Sequence, residues 1–320
     1  MSAADDTFRM LAGLIEAARI VPDSLRAAPR SLPLTVIGGF LGAGKTTLVN
    51  RLLAGSHGLR IAVLVNDFGR INVDAALLVS RTAETIALTN GCACCSIAGD
   101  LTRALVRVAQ GESPPQAIVL EASGIADPRS LAQVALANPA VRLDGVVTLV
   151  DAETVDAHAQ DPGHGSLFRS QVAAADLVVL NKRDLVDAVH FEAARAWVAT
   201  HAPGRPIVEA QHADVPLDIL LGLESRRSLD GAPADRGHEK LFRTRTVHGD
   251  TPMDERQILD LLGEGGAEVL RAKGFVWLTS ALERRTLFQR VGARHTFVPG
   301  APWDGETPRS EVVVISRSRR

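Results

Sequence analysis

Gly39, Gly44, Lys45 and Thr46, within GGFLGAGKTT (Gly38 to Thr47), stand at the spacing G-x-x-x-x-G-K-[ST]. An apolar strand pattern precedes them and the helical run TTLVNRLLAG follows, which is the context a phosphate-binding loop requires. Gly39, Gly42, Ala43 and Gly44 let backbone N–H groups curl around phosphate oxygens, and the helix N-terminus adds partial positive charge. Lys45 is expected to bridge the β- and γ-phosphates and Thr46 to ligate Mg2+, with Thr47 beside them. Glu121 closes the apolar run QAIVLE, where such folds hold the acid that reaches Mg2+ through water. Lys45, Thr46 and Glu121 are thus the expected catalytic set. Gly124 opens a switch-like segment and can donate its N–H near the γ-phosphate.

A second constellation selects the base. NKRD supplies Asn181, Lys182 and Asp184 after the buried-looking run ADLVVL. A carboxylate at the fourth position accepts two hydrogen bonds from the N1–H and 2-amino edge of guanine, a pair of donors that adenine lacks. Lys182 is expected to lie along the ring and tie back to the phosphate loop. Ala210, ending RPIVEA, is a candidate backbone contact to the base. The expected ligands are therefore GTP or GDP with Mg2+.

All three cysteines, Cys92, Cys94 and Cys95, fall in GCACC. Thiolates at this spacing can converge on one soft or borderline ion, with tetrahedral Zn2+ the default and Co2+ or Fe2+ the alternatives. A redox switch and inert buried thiols stay open as rival readings. Clustered thiols suit a reducing compartment better than a disulfide framework. The opening MSAADDT carries acids where a signal peptide carries positive charge, and no apolar run approaches a membrane span, so the expected location is the cytoplasm. A net charge of −2 gives no general pull toward nucleic acid or an anionic membrane. The nine histidines are scattered, and none is taken as a site.

These residues need a scaffold that brings strand ends together. From Leu34 onward, short apolar runs alternate with segments long enough for crossover helices, and each run ends on a polar residue or glycine. Continuous apolar strands imply a parallel sheet covered on both faces, with ligands at the C-terminal strand ends. The expected fold class is a doubly wound, mostly parallel α/β sheet over residues 33–223, followed by a smaller α+β domain. Residues 1–32 read as a helical extension and 224–240 as a polar linker. Residues 241–320, with LFRTRTVH, GFVWLTS, ERRTLFQRV, RHTFVPG and EVVVISR, read as mainly antiparallel strands.

Taken in order, GGFLGAGKTT, NDFG, GCACC, EASGIADP and NKRD resemble the CobW-type GTP-dependent metallochaperones, and LRAKGFVWL resembles that family's second domain. The resemblance spans about residues 33 to 316. It implies GTP binding and slow hydrolysis that drive delivery of a metal, held by Cys92, Cys94 and Cys95, to a client metalloprotein through the C-terminal domain. The expected state is a monomer or a nucleotide-dependent homodimer, with neither nucleic acid nor membrane as partner. There are departures. The family's NEFGE reads NDFGR here, with Asp67 and Arg70 at the acidic positions, and the linker lacks a histidine-rich run, which withdraws support for a zinc client. The stretch after EVVVISR is also short, which predicts an abbreviated second domain. A metal-responsive GTP-binding regulator, an activator of one metalloenzyme such as nitrile hydratase, a cobalt-delivery protein and a P-loop kinase remain as alternatives.

Overall fold

The computed structural model describes residues 31–55, 59–66, 85–88, 96–221, 242–263 and 268–317. The N-terminal extension up to residue 30, most of NDFGRINVD, the cysteine cluster and the linker lie outside the described residues. The chain divides into two compact units, the first built from residues up to Val215 apart from 204–206, the second from Pro216 onward with Gly204–Pro206.

The first unit is built on seven parallel strands: β1 (Leu32–Gly39), β2 (Ile61–Asn66), β3 (Thr85–Leu88), β4 (Ala117–Glu121), β5 (Val141–Asp151), β6 (Leu177–Asn181) and β7 (Ile207–Glu209). Their order across the sheet is β3-β2-β4-β1-β5-β6-β7. Among the described residues the connections carry the helices α1 (Lys45–Ala54), α2 (Ser96–Ala109), α3 (Pro128–Ala137), α4 (Val155–Gln160), α5 (Gly165–Ala173) and α6 (Ala188–His201). On one face, Leu34, Val36, Leu64, Ile118, Leu120 and Val146 pack under Leu101 and Leu105 of α2 and Leu131 and Ala135 of α3. The same face continues past β5, where Val150, Val178 and Leu180 meet Phe168, Val172 and Phe191 of α5 and α6. Alternate residues such as Ile37, Val63, Val119 and Val179 are equally buried and point to the opposite face by the period of two, and α1 packs against β1 and β4. The sheet is therefore apolar on both faces, as the uninterrupted runs require, and the expected doubly wound architecture is present.

The strand order turns outward in both directions from β1, because β4 and β5 flank it in parallel. Loops leaving the C-terminal ends of these strands diverge there and open a crevice, the position where such sheets bind ligands.

The second unit carries the short helix α7 (Leu217–Leu221), then β8 (Phe242–Gly249), α8 (Glu255–Gly263), β9 (Val269–Val276), β10 (Arg284–Val291), β11 (Arg294–Pro302) and β12 (Ser310–Arg317). The strands form an antiparallel sheet in the order β11-β10-β9-β12-β8. Ile258 and Leu262 of α8 cover Val247, Val269, Val276, Phe288 and Val314. Arg271 of β9, only 3% exposed, donates to the carbonyls of Ile219 and Leu220 at 2.8 and 2.9 Å, satisfying orphan acceptors at the end of α7. From sequence α7 reads as the close of the first domain, whereas it groups with the second unit.

Candidate nucleotide site

β1 ends at Gly39 and the chain turns through Phe40 to Gly44 before α1 begins. Two glycines are obligatory for different reasons. Gly39 has φ +135°, and a Cβ there would sit 2.4 Å from the Leu149 carbonyl oxygen of β5. Gly44 has φ +102°, and its Cβ would meet the Asn181 amide nitrogen at 2.5 Å. The turn closes on itself, with Ala43 N–H donating to the Phe40 carbonyl at 3.2 Å. Buried Lys45 donates its Nζ to the same carbonyl at 3.1 Å, which holds the ammonium across the loop. Gly42 stands exposed on the turn, and Thr47 is exposed in the first turn of α1.

Thr46 and Glu121 meet at the strand end. Thr46 Oγ1 donates to Glu121 Oε1 at 3.0 Å, and Glu121 is 2% exposed at the end of β4. A hydroxyl beside a carboxylate is a hard-oxygen donor set, which suits Mg2+ with Thr46 as direct ligand and Glu121 behind it. The chain continues to Gly124, where a Cβ would lie 3.0 Å from the Leu41 backbone nitrogen and closer still to its side chain. The switch-like segment thus rests on the phosphate loop.

The candidate base-reading residues sit at the ends of β6 and β7. Asn181, 2% exposed, donates Nδ2 to the Ala43 carbonyl at 3.0 Å and accepts the Ala213 N–H on Oδ1 at 2.8 Å. It therefore joins the phosphate loop to the loop after β7. The tie expected of Lys182 runs elsewhere. Lys182, at φ +61°, pairs its Nζ with Asp151 Oδ2 at 2.8 Å, while Asp151 Oδ1 accepts the Glu153 N–H. Register explains the difference: Asp151 lies directly opposite Asn181, and an ammonium beside a carboxylate prefers it to a neutral carbonyl. Asp184 follows in the 3-10 turn Arg183–Leu185, with His212 Nε2 3.6 Å from its carboxylate. Both backbone groups of Ala210 are engaged: its N–H donates to Leu180 at 2.9 Å and its carbonyl accepts Arg183 N–H at 3.1 Å. Ala210 positions the loop here, and its N–H is not offered to a base.

Several residues at the site were not singled out from sequence. Asp151 ends a strand just as Glu121 does, and the same rule would have found it. Gln171 of α5 donates Nε2 to the carbonyls of Gly124 and Ala126. Asp127 caps α3 by accepting the Arg129 N–H at 2.9 Å. Burial opposes ionisation of Asp127, yet the Arg129 guanidinium, its N–H and Ser170 together hold its carboxyl below the usual carboxylate value. His158 and His164 pack on Phe40 of the phosphate loop at ring separations of 4.6 Å. His158 Nδ1 lies 3.0 Å from His164 Nε2, and His164 Nδ1 lies 2.9 Å from Asp161. Single scattered histidines carry no such signal in a linear pattern.

Among the described residues no group of three or more His, Cys, Asp or Glu could hold a metal ion, and Cys92, Cys94 and Cys95 lie outside them. No described helix is long and apolar enough to cross a membrane.

The model of the CobW/HypB/UreG nucleotide-binding domain matches residues 33–209, and that of the cobalamin synthesis protein cobW C-terminal domain matches residues 242–319. The chain is similar to the zinc chaperone CobW of Sinorhizobium sp, 34% identical over 335 residues, covering 91% of this chain and 94% of the relative. It is also similar to the zinc chaperone YjiA of Escherichia coli strain K12, 31% identical over 303 residues, covering 89% and 93%. Among solved structures, the Zn(II)-bound YjiA GTPase of E. coli is 26% identical, with 90% of this chain and 95% of that one covered and a TM-score of 0.47. The phosphate-loop sequence and the two matched domains agree: the chain belongs to the CobW-type family of P-loop GTPases.

Proposed function

We propose that this GTPase is a metallochaperone that binds one transition metal through Cys92, Cys94 and Cys95 and releases it to a client metalloprotein under control of the nucleotide. One observation carries the coupling. β3 ends at Leu88 and α2 begins at Ser96, so the cysteine-bearing segment leaves the C-terminal edge of the sheet. Leu88 registers with Asn66, one residue past Val65, which registers with Glu121. The segment therefore departs level with the magnesium acid and two strands away, about 10 Å at the usual strand spacing. In this reading a change in that carboxylate's surroundings during GTP turnover is passed along the segment to the thiolates.

In this reading Lys45 supplies positive charge where phosphoryl charge develops, and Gly124 offers its N–H to the γ-phosphate. Mg2+ held by Thr46 and Glu121 would neutralise charge on the β- and γ-phosphates. Asp184 reads guanine. Hydrolysis is slow without a client, because the buried Gln171 amide is committed to carbonyls rather than to a water. Zinc is the first cargo to test, since the relatives are named zinc chaperones even though this linker lacks a histidine run. Co2+ and Fe2+ are the alternatives, the C-terminal domain is the client surface, the protein is monomeric or dimerises with nucleotide, and the compartment is the cytoplasm.

The test is Co2+ binding to the reduced protein. About one Co2+ should give thiolate charge-transfer bands that vanish in Cys94→Ser/Cys95→Ser and change when GDP replaces a non-hydrolysable GTP analogue. A double variant that binds Co2+ as tightly as the parent protein would place the metal elsewhere. Bands that ignore the nucleotide would leave the GTPase and remove the coupling.

A further inference from the structure

We infer that Gln171 of α5 is a positioning residue for GTP hydrolysis, a latch that holds the segment Gly124–Ala126 against the phosphate loop. Its side chain is 0% exposed, and its Nε2 donates to the Gly124 carbonyl at 3.0 Å and the Ala126 carbonyl at 2.8 Å. Two carbonyl acceptors settle which end of the amide is nitrogen, because only the NH2 has two protons to give. Both acceptors belong to the turn closed by Ala126 N–H on the Ser123 carbonyl, directly after Glu121. The same turn carries Gly124, which is pressed against Leu41. Gln171 thus fixes the far side of a segment whose near side touches the loop that holds phosphate.

The grip extends beyond one residue. Ser170, the preceding residue of α5, donates to Asp127 Oδ2 at 3.0 Å, and Arg129 bonds both Asp127 and Ser170. At its N-terminal end α5 meets the phosphate loop itself: Phe168 and His164 both pack on the Phe40 ring. One short helix therefore touches the two segments that must close around a γ-phosphate.

Gln171 Oε1 is buried and has no hydrogen-bond partner among the described residues. An unsatisfied buried carbonyl oxygen is costly, and an N–H group of the adjoining segment is the kind of donor that would satisfy it. The segment consequently has a second arrangement available, in which one of its N–H groups reaches Oε1 while the carbonyls move. Two hydrogen-bonded states of one segment on one amide are the structural requirement for a γ-phosphate-dependent switch.

The experiment compares Gln171→Met, which keeps length and volume without donors, with Gln171→Glu, which turns an acceptor toward two carbonyls. In single-turnover and steady-state assays with Mg2+ and GTP, kcat should fall roughly 10- to 100-fold in both, the range expected for a misplaced segment near reacting atoms. GDP has no γ-phosphate to read, so its affinity should stay within about twofold, while preference for a non-hydrolysable GTP analogue over GDP is lost. A folded Gln171→Met protein with parental kcat would show that the residue only fills space and would overturn the latch. Equal weakening of GDP and GTP would do the same. The unsubstituted protein gives an independent reading if the variants do not fold: replacing GDP with the analogue should alter amide exchange at both 124–127 and 168–173. A change in the first segment alone refutes the inference. None of these readouts involves the cysteines or a metal cargo, so the latch and the metallochaperone reading fail separately.

Discussion

Asn181→Ala tests whether the phosphate loop and the guanine loop are held as one body. The Asn181 amide is buried, and truncation strands two further buried groups, the Ala43 carbonyl and the Ala213 N–H. Each neutral bond contributes about 1 kcal/mol net, but each of the two stranded partners costs about 1–3 kcal/mol, so the expected loss is about 2–6 kcal/mol. In a domain of about 200 residues that lowers Tm by roughly 4–24 °C. Affinity should fall as well, because Asn181 ties the phosphate loop directly to the loop after β7, while Arg51 of α1 reaches that loop only at its exposed rim, on the His212 carbonyl at 2.9 Å. GDP binding weaker by about tenfold or more corresponds to at least 1.4 kcal/mol of that total, expressed as lost preorganisation. Asn181→Asp is the informative companion: its carboxylate still accepts from Ala213 but faces the Ala43 carbonyl with charge, so it should bind GDP no better than the alanine variant. Calorimetry for Tm and fluorescent-GDP titration for affinity separate the two effects. An Asn181→Ala protein with Tm within about 2 °C of the parent and GDP affinity within about threefold would refute the bridge.

Guanine selection should rest on Asp184. Asp184→Asn is expected to cost ~2–4 kcal/mol in GTP affinity and to shift preference toward xanthine nucleotides, which competition binding measures directly. Equal affinity of the unmodified protein for ATP and GTP would remove the premise. Acid sensitivity should depend on His158, whose basicity is held below the ordinary value of 6.5 first by burial and next by His164, against the opposing pull of Asp151 and Asp161. Its unfolded form binds the proton more readily, so this stabilisation is present above pH 6.5 and is lost as pH falls below it. A Tm series from pH 7 down to about 5 should therefore drop less steeply in His158→Gln. The depressed carboxyls of Asp127, Asp161 and Asp187 also lose stabilisation in acid, but only near and below their ordinary value of 3.8, outside that window. An unchanged slope in the variant would count against the histidine pair.

The parts of the site legible in sequence are those where chemistry dictates residue type at short range. A phosphate loop needs glycines, a lysine and a hydroxyl within eight positions, and NKRD concentrates the guanine signal in four. Glu121 and the strand ends follow from apolar runs that stop on a polar residue. Illegible were the links between distant segments. Lys182 looked free to reach the phosphate loop until register placed Asp151 opposite Asn181. Ala210 looked like a base contact until β6 and the 3-10 turn claimed both its backbone groups. Gln171 sits inside a helix that reads only as amphipathic, and its partners are carbonyls 45 and 47 positions away, which carry no sequence identity at all. Side chain to backbone bonds across long separations are invisible to pattern reading, because the acceptor can belong to any residue.

The parallel sheet supplies a reason for the order of motifs along the chain. Every strand of the first unit runs the same way, so the loops after β1, β3, β4, β6 and β7 all emerge on one edge. Phosphate loop, cysteine segment, switch segment and guanine motif occupy four of those positions, and Asp151 at the end of β5 supplies the carboxylate between them. An insertion of a metal-binding segment after any of these strands would put it on the nucleotide edge. β3 itself lies beside β2 and two strands from β4, which ends at Glu121, whereas β6 and β7 lie on the other side of β1. The proposed metal segment thus follows a strand on the phosphate side of β1, while the candidate base-reading residues follow β6 and β7 on the other side. Cargo exchange linked to hydrolysis, with guanine selection unchanged by metal, is the behaviour this arrangement favours.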